Sequence, residues 1–406
     1  MTLRIFDTLT LKKKAFRAEG RVVRIFLCGP TVYDYCHLGH ARTFVAFDTI
    51  ARYLRFRGHR TKVVMNVTDI SKEIIENAER NGQDPGKYST KYFQSMLEDL
   101  KALEVNTIDE VVRASHNVPE MIGWIEKLLE RGAAYITDEG VFLDTSRVKG
   151  YGSLSHQSRR ELALRRLDLS PAKKNPEDFL LWTYTRSERS AWDSPWGKGC
   201  PGQHIEDAAA CTKYFGTSYH INGGGDELVF PHHEATKAQV EAVTGRPVCR
   251  YWLHTGLLRV RRRKMSKSLR NFITIREALP RYGVHALRLY FSLTHYRKPL
   301  DFRHSDLEKA FRLSRSFHNS VEKMKDIVAS FSGKERNINL DRVVTRCESR
   351  FIEAMDNDFD TESAVKELMD LACYSARGQR LNRHSPTSLS GALRSLTKLS
   401  GILGIL

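Results

Sequence analysis

The chain has 406 residues, 41% of them apolar and 28% charged, with 65 Lys and Arg against 48 Asp and Glu for a formal charge of +17. These values fit a soluble globular chain of two or three domains and exclude a membrane span, since no run approaches eighteen consecutive apolar residues. The basic surplus suits a polyanion, nucleic acid first, although charge also serves solubility on its own.

In chain order, residues 21–27 are apolar and β-branched and end at the turn-forming Gly29 and Pro30, which predicts a buried strand. From about His40 the apolar positions Phe44, Phe47, Ile50, Tyr53 and Leu54 recur mostly at three- and four-residue steps, predicting a helix that lasts to Gly58. A strand over 62–67 comes next. Strand, helix and strand imply a right-handed parallel crossover, so the loop after the first strand opens at the carboxyl edge of the sheet, where ligands of open α/β folds bind. Helical patterns cover 71–81, 87–103 and 118–131, and a hairpin is expected at 134–144. From 149 to 202 the sequence turns polar and rich in Arg, Ser, Pro and Trp, predicting a segment inserted over the site rather than a core layer. The α/β pattern resumes with a helix at 205–215, a strand at 219–222, a helix from His232 and a strand around 251–260. Beyond Ser305 helices are expected at 307–331, 343–355, 361–376 and 388–403, with Ser332-Gly333-Lys334 as a loop.

The expected fold class is therefore α/β: a Rossmann-like parallel-sheet nucleotide-binding domain in two halves, 1–115 and 203–304, split by an insertion at 116–202 and followed by a helical bundle at 305–406. Seven scattered cysteines make no disulfide framework in a chain this long, and the basic Lys12 to Lys14 has no apolar run or cleavage site beside it. A cytoplasmic location is expected.

Two clusters suit phosphate chemistry, which needs cationic and hydrogen-bonding groups where negative charge builds. His37 and His40 stand three residues apart at a helix start after a strand, with free amides and the positive end of the dipole nearby. Gly39 between them leaves no side chain in the way of an adenine ring. Lys264-Met265-Ser266-Lys267-Ser268 comes after a strand and sets two ammonium groups in a short loop. Two nearby histidines are usually surface or packing residues, and a basic loop is usually just solvated. The ordered pair is what separates this chain from those plain readings, because it resembles the signature of class I aminoacyl-tRNA synthetases. Other segments narrow the resemblance to cysteinyl-tRNA synthetases across nearly the whole chain, among them Cys28-Gly29-Pro30-Thr31-Val32-Tyr33-Asp34, Asn66-Val67-Thr68-Asp69-Ile70 and Phe230-Pro231-His232-His233-Glu234.

That resemblance implies ATP-dependent formation of an aminoacyl-adenylate with Mg²⁺, followed by transfer to the acceptor end of tRNA. It implies His37, His40, Lys264 and Lys267 as catalytic groups, Gly39, Glu227, Ser266 and Ser268 around ATP, and Cys28, Thr68, Gln203 and His232 around the amino acid. Members of the family typically hold zinc with two cysteines, a histidine and a glutamate, so that a thiolate is chosen over the hydroxyl of serine. Cys28 and His232 match two of those positions, Asp207 stands in place of the second cysteine and Thr236 in place of the glutamate. Cys28, Asp207 and His232 could still hold Zn²⁺ as three protein ligands, or the metal is gone and these residues line a remodelled pocket. Cys211, four residues after Asp207, is expected in the core. Gln203 replaces an aromatic residue, Ser71 and Lys72 replace acidic ones, and Arg270 replaces a glycine. The family normally continues past the last helix into a small anticodon-reading domain, which is expected to be missing here. Two rival functions stand beside the leading one: an adenylate-forming ligase that passes the amino acid to a small amine, as resemblance to the mycothiol-pathway ligases implies, and an idle paralogue that binds RNA or protein.

Overall fold

The computed structural model describes residues 2–165, 170–185, 191–265, 271–330, 337–380 and 385–406, with the backbone alone at 165, 264 and 377–380. A short hairpin opens the chain, β1 (Arg4–Asp7) with β2 (Lys12–Ala15). Then come β3 (Val22–Thr31), α1 (Leu38–Phe56), β4 (Arg60–Thr68), α2 (Lys72–Arg80), α3 (Pro85–Ala102), β5 (Glu110–Arg113) and α4 (Val118–Glu130). The middle of the chain holds β6 (Ala134–Ile136), β7 (Gly140–Leu143), α5 (Arg159–Arg165), β8 (Phe179–Tyr184) and β9 (Gly199–Pro201). The next elements are α6 (Glu206–Phe215), β10 (Tyr219–Gly225), α7 (Glu234–Thr244), β11 (Cys249–Thr255), β12 (Leu258–Val260), β13 (Arg263–Lys264), α8 (Ile275–Tyr282), α9 (Val284–Ser292) and β14 (Leu300–Phe302). The described chain closes with α10 (His304–Ser330), α11 (Ile338–Asp356), α12 (Thr361–Arg380) and α13 (Pro386–Leu403).

β3 is the strand around which the rest is built. Val23, Ile25, Phe26 and Leu27 are at most 1% exposed, so both faces of the strand are covered, as a central parallel strand requires. The five-stranded parallel sheet runs β11-β10-β3-β4-β5, with α1 crossing from β3 to β4 and the later strand β10 docking on the other side of β3. The strand order therefore reverses between β3 and β10, and a crevice opens at their carboxyl ends. α1 lies close against β10 because Gly223 has no side chain: a Cβ there would stand 2.0 Å from Cζ of Phe47.

The segment 149–202 departs from expectation. It is not only a covering loop, because β8 joins β6, β7 and β9 in an antiparallel sheet. Phe179, Leu181 and Trp182 are fully buried there with Ile125, Leu128 and Val141. The short apolar run of β8 is flanked by long polar stretches, and average composition over the segment hides it. The strand expected at 251–260 is interrupted at Gly256, and β5, a short half-buried edge strand, gave no periodic signal. The proposed loop at Ser332-Gly333-Lys334 lies outside the described residues. Among the described residues no helix is long and apolar enough to cross a membrane.

Candidate active site

The loop from β3 to α1 forms one wall of a cavity of about 330 Å³ at the switch point of the sheet. The rest of the lining comes from α1, from the ends of β4, β10 and β11, from the segment between β10 and α7, from Gln203 and His204 before α6, and from residues 256–258 and Met265. His37, Gly39, His40, Cys28, Thr68, Gln203, Glu227 and His232, all expected from sequence, line this single space.

α1 starts at Leu38, two residues earlier than its apolar repeat suggested, because His37 caps it. Its Nδ1 accepts from the backbone N–H of Gly39 at 3.0 Å and of His40 at 3.4 Å, while His40 Nδ1 accepts from the His37 N–H at 3.2 Å. The result is a capping box made from two imidazoles stacked with centroids 3.8 Å apart. Since each Nδ1 is an acceptor, each neutral ring carries its proton on Nε2 and is a donor for phosphate oxygen. This corrects the expectation of free helix amides: Gly39 and His40 donate to the cap, and the Leu38 N–H donates to the Ile273 carbonyl at 2.9 Å. The structure gives Gly39 a further reason. A Cβ there would sit 2.8 Å from His37 Cε1, so glycine makes room for the stacked ring.

The described residues that flank the lysine loop are held beside this site. Before it, Met265 lines the cavity and its N–H donates to the Leu258 carbonyl at 3.0 Å; after it, the Ile275 N–H donates to the Cys36 carbonyl at 2.9 Å. Ser266, Lys267, Ser268 and Arg270 lie outside the described residues, and Lys264 is described by its backbone alone, paired with Arg259.

At the other end of the cavity Cys28, Asp207 and His232 bring one ligand atom each within 4.8 Å of one another. Asp207 Oδ2 is 3.1 Å from His232 Nε2, and Asp207 Oδ1 accepts from Asn66 Nδ2 at 3.1 Å. Asp207 is 0% exposed, and its Oδ2 has no hydrogen-bond partner among the described residues; the His232 contact is close without hydrogen-bond geometry. Burial, and then the neighbouring Asp207, push the Cys28 thiol well above its usual range. The Thr236 hydroxyl donates to the His232 carbonyl at 3.1 Å, four residues back in the chain. Cys211 is buried and its thiol donates to the Ala208 carbonyl, as expected of a core residue.

Several neighbours were not among the site residues expected from the sequence. Glu206 is buried beside Asp207, accepts from the Thr68 hydroxyl, and is pushed well above the carboxylate range by desolvation. His233 Nδ1 lies 2.8 Å from His254 Nε2, and His254 Nδ1 lies 2.8 Å from the Thr8 hydroxyl. Desolvation keeps both rings neutral, His254 with a pKa lowered to about 3. A lone histidine on an apolar strand looks like any buried residue until its partners are known.

Residues 15–312 match the family described as tRNA synthetases class I (C) catalytic domain, and residues 350–406 match the DALR domain. The fold is similar to that of Mycobacterium tuberculosis methionyl-tRNA synthetase in complex with methionyl-adenylate, with a TM-score of 0.69 at 13% identity over 95% of this chain and 90% of that one. It is equally similar to Agrobacterium radiobacter LeuRS in its ternary complex, with a TM-score of 0.69 at 12% identity over 95% of this chain and 84% of that one. Fold and family match together define a class I aminoacyl-tRNA synthetase. Among curated relatives, the cysteine–tRNA ligase of Thermococcus onnurineus is 43% identical over 92% of this chain and 79% of its own length. That of Methylococcus capsulatus is 39% identical over 100% of this chain and 85% of its own length. The chain belongs to the cysteine–tRNA ligase family.

Proposed function

We propose that the chain uses ATP to activate cysteine as an aminoacyl-adenylate and then transfers the aminoacyl group to the terminal adenosine of tRNA. The observation that carries this reading is the one cavity shared by the paired histidines and by Cys28 and His232. An oxygen of the cysteine carboxylate bonds to the α-phosphorus, the bond to the β-phosphate oxygen breaks, and pyrophosphate leaves. His37 and His40 donate Nε2–H to phosphate oxygens whose charge rises in that step, and Lys264 and Lys267 are the cations that meet the pyrophosphate; Mg²⁺, when bound, would neutralise further phosphate charge. Gly39, Ser266 and Ser268 border the triphosphate and Glu227 takes the ribose hydroxyls. A ribose hydroxyl of the tRNA end then attacks the adenylate carbonyl, and AMP departs. Positioning does the chemical work, with no covalent enzyme intermediate.

The amino-acid end of the cavity fits zinc. A buried carboxylate oxygen without a hydrogen-bond partner is costly unless a cation sits there, and a thiol, a carboxylate and an imidazole within 4.8 Å of one another form a three-ligand set of the kind zinc accepts. Cys28, Asp207 and His232 would hold the ion, which when bound supplies a Lewis acid that takes the substrate thiolate in preference to the hydroxyl of serine. Asn66 orients Asp207, and His204 Nδ1, 3.1 Å from His232 Nδ1, orients the His232 ring. Residues 1–115 and 203–304 are read as two halves of one catalytic domain, which is supported by a sheet that joins β3, β4 and β5 to β10 and β11. The insertion is placed at 116–202 and the helical bundle at 305–406.

The test is pyrophosphate exchange into ATP with each of the twenty amino acids, followed by charging of total tRNA. Exchange that depends on cysteine, with charging, is the expected result. Exchange without charging supports the small-amine ligase, and no exchange with any amino acid supports the idle paralogue.

A further inference from the structure

The hairpin leading into the lysine loop carries a charge pattern to which the adenylate chemistry proposed above gives no role. β12 and β13 pair antiparallel with Val260 opposite Arg263, which leaves Arg261 and Arg262 as a two-residue turn. Both have left-handed backbone, with φ of 51° and 64°. That is the conformation of the tight hairpin turn that Asn-Gly adopts easily and that a long L side chain adopts only with strain. Strain of this kind persists where surrounding structure imposes it and function gains from it.

The turn is held through its backbone, by the Arg262 N–H donating to Asp301 Oδ1 at 2.8 Å, and that bond uses none of its guanidinium groups. Arg261, Arg262 and Arg263 are all exposed, and among the described residues none of the three has an ion-pair partner. Arg259 adds a fourth cation on the same hairpin. The base of the hairpin is the cavity wall itself, since Leu258 and Met265 both line the cavity. At about 3.3 Å per strand residue, the arginine tip stands roughly 10 Å from that wall.

We infer that Arg261, Arg262 and Arg263 form a docking site for RNA backbone phosphates at the mouth of the adenylate cavity, with the single-stranded acceptor end of tRNA as the occupant. The inference rests on the tRNA-charging function proposed above. An RNA end whose terminal adenosine enters the cavity must lay its preceding phosphates across the mouth. The guanidinium fork matches a phosphate with two parallel hydrogen bonds, which a turn of ordinary Asn-Gly sequence cannot offer. Such contacts carry no base information; they fix where the chain enters.

The double variant Arg261→Asn/Arg262→Gly removes two charges and relaxes the turn, so it keeps the hairpin. Binding of a fluorescently labelled cysteine-accepting tRNA transcript is measured by anisotropy over a range of potassium chloride concentrations, beside thermal melting and cysteine-dependent pyrophosphate exchange. The expected result is a melting temperature at or above that of the parent, a several-fold loss of tRNA affinity, and a salt slope smaller by roughly 1.5, from 0.7 to 0.9 per lost phosphate contact. The loss is expected to be confined to the RNA-dependent step. Unchanged affinity and slope in a parent that binds tRNA overturn the inference alone, and so does a matching fall in pyrophosphate exchange, which would give the arginines to ATP. A parent chain that binds no tRNA overturns the proposed function as well.

Discussion

Asp207 shows how much one atom can decide. Its carboxylate is fully buried, held on one oxygen by Asn66 and left on the other without a hydrogen bond, facing a thiol and an imidazole. Asp207→Ala removes one of the three proposed ligands, and zinc in the purified protein, measured by atomic emission, is expected to fall from about one ion per chain to a small fraction of that. A parent protein free of zinc after purification with added metal would sink the metal assignment. Asp99 makes a different residue-scale point. It is 2% exposed, and burial raises its pKa from 3.8 to about 6 although Arg276 stands 3.3 Å away and partly offsets this. The folded state therefore holds this proton more tightly than the unfolded chain. Its contribution to stability is greatest below pH 3.8 and is lost as the pH rises through about 6. The melting temperature of Asp99→Asn, relative to the parent, is expected to climb between pH 4 and 6 and to stay level above that window.

At the scale of elements, the start of α1 combines two tasks. The imidazole that caps the helix is the same ring that lines the cavity, so the cap fixes the ring's tautomer while the ring fixes the helix end. Gly39 is the weak point of that arrangement. Gly39→Ala puts a methyl group 2.8 Å from His37 Cε1, and the ring must leave its stack on His40. Pyrophosphate exchange is expected to fall at least about tenfold, equivalent to roughly 1.4 kcal/mol in the transition state, with circular dichroism unchanged. Equal exchange in the variant would mean that the stack is incidental. The hairpin before the lysine loop repeats the theme: its strained turn is a local cost tolerated beside the working cavity.

At the scale of the molecule, Arg42 ties the active site to the helical half of the chain. Its guanidinium, 2% exposed on α1, donates to the carbonyls of Gly256, Leu257, His295, Tyr296 and Lys298. Gly256 and Leu257 are cavity wall, while the segment at 295–298 is clasped by the helical half through Arg297 to Asp358 and Lys298 to Glu362. Burial lowers the Arg42 pKa to about 10, so the group is still a cation at neutral pH. Arg42→Met preserves much of the volume and leaves those carbonyls short of a donor, with an expected loss of about 3 kcal/mol or more in unfolding free energy. Urea denaturation with an unchanged slope and a lowered midpoint is the measurement. A second buried cation, Arg288, braces α9 against α1 through Asp48 at 2.6 Å and donates to the Leu403 carbonyl at the end of α13.

The sequence alone determined the class of fold and the order of its main elements, and it singled out the two segments proposed to handle phosphate. Those depend on local facts: the apolar period of α1, the β-branched run of β3, and residue types at fixed spacing. Through resemblance it also pointed to Cys28, Asp207 and His232 as candidate metal ligands, which the fold brings within 4.8 Å of one another. What it could not determine was which way side chains turn once distant segments meet. That Thr236 bonds the His232 carbonyl, that His37 and His40 cap each other, that β8 is core, and that His254, Glu206 and Arg42 bond to residues at or beside the cavity all depend on how the packed chain turns and buries each side chain. Hydrogen-bond partners and burial are properties of the packed chain, and no local pattern encodes them.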